Sequence, residues 1–95
     1  MLGNKDKESL DDFSKAISLN PKNEAYYVNR AYVYTRMNQQ AQALADYNQG
    51  LKINPKNSVL LYNRGYLYKL MGKTAESDAD YKAALAIDPK LPAYK

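Results

Sequence analysis

Pro21, Pro55 and Pro89 stand 34 residues apart, and each closes the same phrase: Ser-Leu-Asn-Pro-Lys, Lys-Ile-Asn-Pro-Lys and Ala-Ile-Asp-Pro-Lys. A fixed period of this length marks an array of helical hairpins, in which one hairpin cannot bury its apolar face alone and must stack on its neighbours. Laying residues 24–57 over 58–91 gives thirteen identities in thirty-four positions, among them Asn29/Asn63, Arg30/Arg64, Tyr32/Tyr66, Asp46/Asp80 and Tyr47/Tyr81.

Within each copy, apolar and small residues recur at helical spacing, first as Tyr27, Ala31 and Tyr34, then, after a break, as Ala43, Tyr47 and Leu51. The break falls at Asn38 and at Gly72, residues suited to the left-handed conformation that ends a helix. Asn54-Pro55 and Asp88-Pro89 end the second helix, because a residue before proline is pushed out of helical geometry. Asn23 then caps one first helix, and Asn57 or Ser58 the next. Upstream, Leu10, Phe13, Ala16, Ile17 and Leu19 lead into Pro21 as an unpaired second helix. Five helices are therefore expected, at about 7–19, 24–37, 41–53, 58–71 and 75–87, with 92–95 opening a further first helix. The domain organisation follows: a second helix, full repeats at 24–57 and 58–91, and the start of another.

The spacing resembles that of the tetratricopeptide repeat, whose anchors are a large aromatic, then Leu-Gly, Tyr, Ala, an aromatic and Pro at fixed offsets. Tyr27, Ala31, Tyr34, Ala43, Tyr47 and Pro55 supply them in the first copy, and Leu61, Gly65, Tyr68, Ser77, Tyr81 and Pro89 in the second. Arg30 and Arg64 replace the usual leucine, and Gly50 a small alanine. The resemblance implies an all-α, right-handed solenoid of stacked antiparallel helix pairs. It also implies a scaffold or interaction module whose first helices line a concave groove for an extended peptide or a partner's helix. Chaperone-binding members of the family grip a terminal carboxylate with lysines, asparagines and an arginine. Of that set only Asn63 is present, since Val28, Tyr32 and Ala93 hold other positions.

At about 100° per residue, Tyr27, Ala31 and Tyr34 share one stripe, and Leu61, Gly65 and Tyr68 the matching one; both face the core. Ala25, Asn29, Tyr32 and Arg36 share the opposite side, as do Val59, Asn63, Tyr66 and Leu70. A side turned from its own hairpin should be polar, so grouped apolar and aromatic residues there suggest a contact surface, widened by Val28 and Tyr62. Asn29 and Asn63 occupy one register, and an amide offers a donor and an acceptor to a peptide backbone of any sequence. The expected partner-binding set is Asn29, Asn63, Tyr32, Tyr66, Tyr62, Val28, Val59, Leu70 and Arg36. The alternatives are asparagines bonded within the array and tyrosines covered by a neighbouring helix. For Arg30 and Arg64 the structural reading is exposed pairing with acids of a neighbouring helix; the functional one is contact with a partner's carboxylate or phosphate.

The chain has no histidine and no cysteine, which removes the commonest general base, the commonest metal ligand and any disulfide framework. No phosphate-binding loop or metal-ligand spacing occurs. Asp11-Asp12 and Asp78/Asp80 read as solvated helix faces, because neighbours one or two apart on a helix do not face each other, although the period of Asp46 and Asp80 points to a structural register. No enzyme, no cofactor and no metal is expected. The net charge of +4 is spread among acids, so nucleic acid is disfavoured, although Lys52, Lys56, Lys69, Lys73, Lys82 and Lys90 accompany many tyrosines. No apolar run is long enough to cross a membrane. A soluble, protein- or peptide-binding piece is expected, the cytoplasm slightly favoured. Homo-association through uncapped ends, by Leu10, Phe13 and Ile17, is the competing reading.

Overall fold

Each proline phrase folds into the same turn. The N–H of Asn23, Asn57 and Leu91 donates to the carbonyl of Asn20, Asn54 and Asp88 respectively, at 3.3, 3.2 and 3.3 Å, with proline second in the turn. In the last two turns the Asn54 and Asp88 carboxamide or carboxylate also accepts from the N–H of Lys56 and Lys90, both at 3.2 Å. The repeated phrase is thus a helix stop and a turn in one.

The computed structural model describes residues 2–94, with side chains from residue 5 onward. Five helices follow in order: α1 (Leu2–Leu19), α2 (Glu24–Arg36), α3 (Gln40–Ile53), α4 (Ser58–Leu70) and α5 (Thr74–Ile87). No strand occurs among the described residues. The expected bounds of α2 to α5 shift by one residue at most, whereas α1 begins five residues earlier than its apolar pattern. Its first turns are polar on the sequence, but Asp6 is buried and meets the Arg36 guanidinium at 3.5 Å, a long-range pairing that periodicity does not reveal.

The helix ends obey local chemistry. Asn23 accepts from the N–H of Ala25 at 3.0 Å and Asn57 from that of Leu60 at 3.1 Å, so Asn57, not Ser58, caps α4. Asn38 and Gly72 have φ of 60° and 77°. Around them, Gln39 and Lys73 donate to the carbonyls of Tyr34 and Tyr68 at 2.8 Å, the bond that reaches back across a left-handed helix stop.

α2 packs on α3 and α4 on α5 as antiparallel hairpins, while α1 lies on α2, α3 on α4, and α2 also touches α4. The core runs through these contacts as Ala31, Ala43, Tyr47, Leu51, Leu60, Leu61, Leu67 and Ala84. Burial in place of water drives the stacking, at roughly 25 cal/mol per Å² of apolar surface. Tyr34 and Tyr68, expected in the core, are only half-buried, each lying under a guanidinium four residues before it. Leu10, Phe13 and Ile17 are half-buried rather than laid open, and Leu19 is exposed. Residues 91–94 follow the third turn beyond α5, in the place that precedes a first helix in the earlier copies; Lys95 lies outside the described residues.

Candidate functional site

The two arginines settle into structure. Nε and Nη2 of Arg30 donate to both carboxylate oxygens of Asp46 at 2.7 Å, and Arg64 does the same to Asp80 at 2.7 and 2.8 Å. Nη1 of Arg30 donates to Ser14 on α1 at 3.1 Å, and that of Arg64 to Asn48 on α3 at 2.9 Å. Each guanidinium therefore bridges three helices, and every member of one clasp sits 34 positions before its counterpart. The two-pronged bond to a carboxylate holds each arginine above its ordinary pKa, against the opposing pull of burial. These pairs are not the exposed ones expected, for Asp46 and Asp80 are buried, which also corrects the solvated reading of Asp80. Asp11, Asp12 and Asp78 are exposed. The signal for the clasp was present as Arg and Asp repeated sixteen apart in both copies.

With the arginines and core removed from consideration, the far faces of α2 and α4 remain. Tyr32, Val59, Tyr66 and Leu70 are 55, 49, 39 and 49 % exposed, in a fold that buries Leu60 and Leu67 completely. Asn29 on the same face is exposed and Asn63 half-buried. Three of the expected residues are otherwise engaged. Val28 is half-buried and packs against the core cluster, and Arg36 is held by Asp6 on α1. Tyr62 packs against the core too, with its ring 4.8 Å from that of Tyr94 and 6.2 Å from that of Tyr81.

On the α4 part of this face lies an open recess of ≈ 290 Å³, lined by Tyr62, Asn63 and Tyr66 and walled on the other side by Pro92, Ala93 and Tyr94. The Tyr62 hydroxyl donates to the Pro92 carbonyl at 2.9 Å, and the Tyr94 hydroxyl donates to the Tyr62 carbonyl at 2.6 Å. Sequence reasoning missed this wall, because spacing within a helix does not show which residues beyond Pro89 pack against α4. An amphipathic recess with one carboxamide suits an extended polypeptide: rings for burial, an amide for the backbone. No group of three or more acidic, histidine or cysteine side chains that could hold a metal occurs among the described residues. No helix among them is long and apolar enough to cross a membrane.

Family models agree with this architecture. The "TPR repeat" model matches residues 31–72, and two models described as "Tetratricopeptide repeat" match 59–91 and 13–45. The chain belongs to the tetratricopeptide-repeat family. No curated protein matches the sequence significantly. Among solved structures, the tetratricopeptide-repeat domain of Arabidopsis OM64 is 28 % identical with a TM-score of 0.88, over 94 % of this chain and 74 % of that one. The first such domain of Spaghetti (RPAP3), bound to the HSP90 peptide SRMEEVD, is 27 % identical with a TM-score of 0.88, over 94 % of this chain and 71 % of that one. A tetratricopeptide-repeat protein from Parabacteroides merdae is 32 % identical with a TM-score of 0.83, covering 94 % of this chain and 35 % of its own. The tetratricopeptide-repeat array is thus, in kind, a protein-interaction module.

Proposed function

We propose that the chain binds an extended protein segment along the far faces of α2 and α4, and performs no chemistry itself. The observation that carries this reading is that four of the six exposed large hydrophobic side chains among the described residues, Tyr32, Val59, Tyr66 and Leu70, fall on the face that carries Asn29 and Asn63, whereas the other two, Leu19 and Ile87, stand singly at the ends of α1 and α5. The asparagines hold the backbone of the segment, and the tyrosines and aliphatics bury its side chains. Peptide binding by the RPAP3 domain of the same fold supports the mode. The ligand class need not be the same, since Val28 and Tyr32 stand where carboxylate-gripping members carry a lysine and an asparagine. The buried acids Asp6, Asp46 and Asp80 are each committed to an arginine.

The test is a peptide selected on the wild-type chain from a random display library. Losing a carboxamide that makes two backbone hydrogen bonds should weaken binding about tenfold. Asn63→Ala is expected to show that loss, and Asn29→Ala/Asn63→Ala about a hundredfold one. An unchanged dissociation constant in the double variant contradicts the reading.

A further inference from the structure

Three asparagines lie inside α2 to α5, and one of them is committed: the Asn48 carboxamide accepts from Arg64 at 2.9 Å. The carboxamides of Asn29 and Asn63 make no hydrogen bond among the described residues. Tyr32 and Tyr66 stand three residues further on, so each shares the face of its asparagine, and neither hydroxyl makes a hydrogen bond there. Each first helix thus presents one rung, an amide beside a ring, with its donors unspent. The stripe that carries the rungs has one charged residue, Arg36, and Asp6 holds its guanidinium.

α2 touches α4 directly, which sets the axes of the two helices about 8–10 Å apart, and the rungs repeat at that spacing. A partner strand brings side chains to one face about every 6.6 Å and falls out of step with the rungs. A partner helix satisfies its own backbone and leaves the carboxamides nothing to bond. A polyproline II segment turns once in three residues at about 3.1 Å each, so one side recurs about every 9 Å, and its backbone carbonyls stay open to bonding. Of the three, its pitch alone matches the rungs. Proline adds an acceptor without a donor, the complement of an amide and a hydroxyl that have donors to give.

Resting on the groove reading, we infer that the Asn29–Tyr32 and Asn63–Tyr66 rungs recognise a polyproline II segment whose prolines recur every third residue. One proline ring packs on each tyrosine, and the carboxamide beside it donates to a carbonyl of the segment. The period of the array therefore selects the period of the ligand. Because the stripe offers no uncommitted charge, the segment is held by burial and neutral hydrogen bonds, and its affinity is indifferent to salt.

The experiment titrates the 95-residue chain with two fluorescent, end-blocked peptides of one composition, three prolines and six alanines, with proline at every third residue in one and at every second in the other. The period-three peptide is expected to bind about tenfold tighter than its isomer. Tyr32→Ala, which removes a ring that the fold leaves exposed, is expected to weaken that binding about tenfold, and raising sodium chloride from about 50 to about 500 mM to change it less than about twofold. Should Tyr32→Ala fail to fold, Asn29→Ala, at an exposed position on the same rung, is expected to weaken the binding about fivefold. Equal affinity for the two peptides, no binding of either, or no loss in the folded variants overturns the inference. A library-selected peptide that responds to Asn29→Ala/Asn63→Ala, while the period-three peptide binds no tighter than its isomer, overturns it and leaves the groove standing. A library-selected peptide indifferent to the double variant overturns the groove reading, and this inference with it.

Discussion

Arg30 and Arg64 each fasten a first helix to the second helix of its own repeat and to the second helix of the repeat before. Their carboxylate partners are nearly sealed from water, so removing one end leaves a poorly solvated charge. Arg64→Met, which orphans the buried Asp80 carboxylate, is expected to lower the unfolding free energy by about 3 kcal/mol in urea denaturation, and Arg64→Met/Asp80→Leu by less than half of that, since the double change leaves no orphan charge. A second residue-scale consequence is pH dependence at high pH. Burial pushes the Tyr47 hydroxyl up to about 12 from an ordinary 10, so the unfolded chain loses this proton first as pH rises. The stabilisation is intact below about pH 10 and disappears between about 10 and 12, worth on the order of 2 kcal/mol. Melting temperatures measured from pH 9 to 12 should therefore fall less steeply in Tyr47→Phe than in wild type. Neither effect was readable from the sequence in full. Helix rules of three and four residues find neighbours on one helix, and the Arg–Asp partners face each other across two.

At the scale of the element, the sequence was most informative where a helix ends. Asn38, Gly72 and the three proline turns act through their own backbone geometry, which needs no partner from elsewhere, and the helix bounds followed to within a residue. The exception in helix bounds is the start of α1, and at both ends long-range contacts add what local pattern does not show. At the first, Asp6 is drawn against Arg36 and α1 runs through a polar stretch. At the other end Tyr94, 34 residues after the buried Leu60, donates to the Tyr62 carbonyl, a pairing that periodicity does not reveal. Contacts between repeats are tuned by where each glycine falls. Gly50 lets the fully buried Leu60 lie against α3, since a Cβ at 50 would come within 2.8 Å of Leu60 Cδ2. The next repeat carries Ala84 in that place and its glycine at 65. The 34-residue repeat therefore fixes the path of the chain, and the shifted glycines mark where the stacked copies differ in packing.

Over the whole molecule, stacking sets equivalent residues on successive first helices, and α2 touches α4 directly. That arrangement turns single-residue features into a surface: Tyr32 from one repeat, with Val59, Tyr66 and Leu70 from the next, flanks the Asn29 and Asn63 register. The candidate set was read from helical spacing, which supplies direction around a helix. Val28, Arg36 and Tyr62 had contacts with the core, α1 and the 91–94 segment that spacing does not supply. The central claim concerns which face of the array receives a partner, and backbone amide chemical-shift mapping with the library-selected peptide tests it directly. The largest perturbations are predicted at Asn29, Tyr32, Asn63 and Tyr66, with the exposed second-helix residues Gln49 and Lys82 unmoved. Perturbations centred on α3 and α5, with the four first-helix residues unmoved, would contradict it.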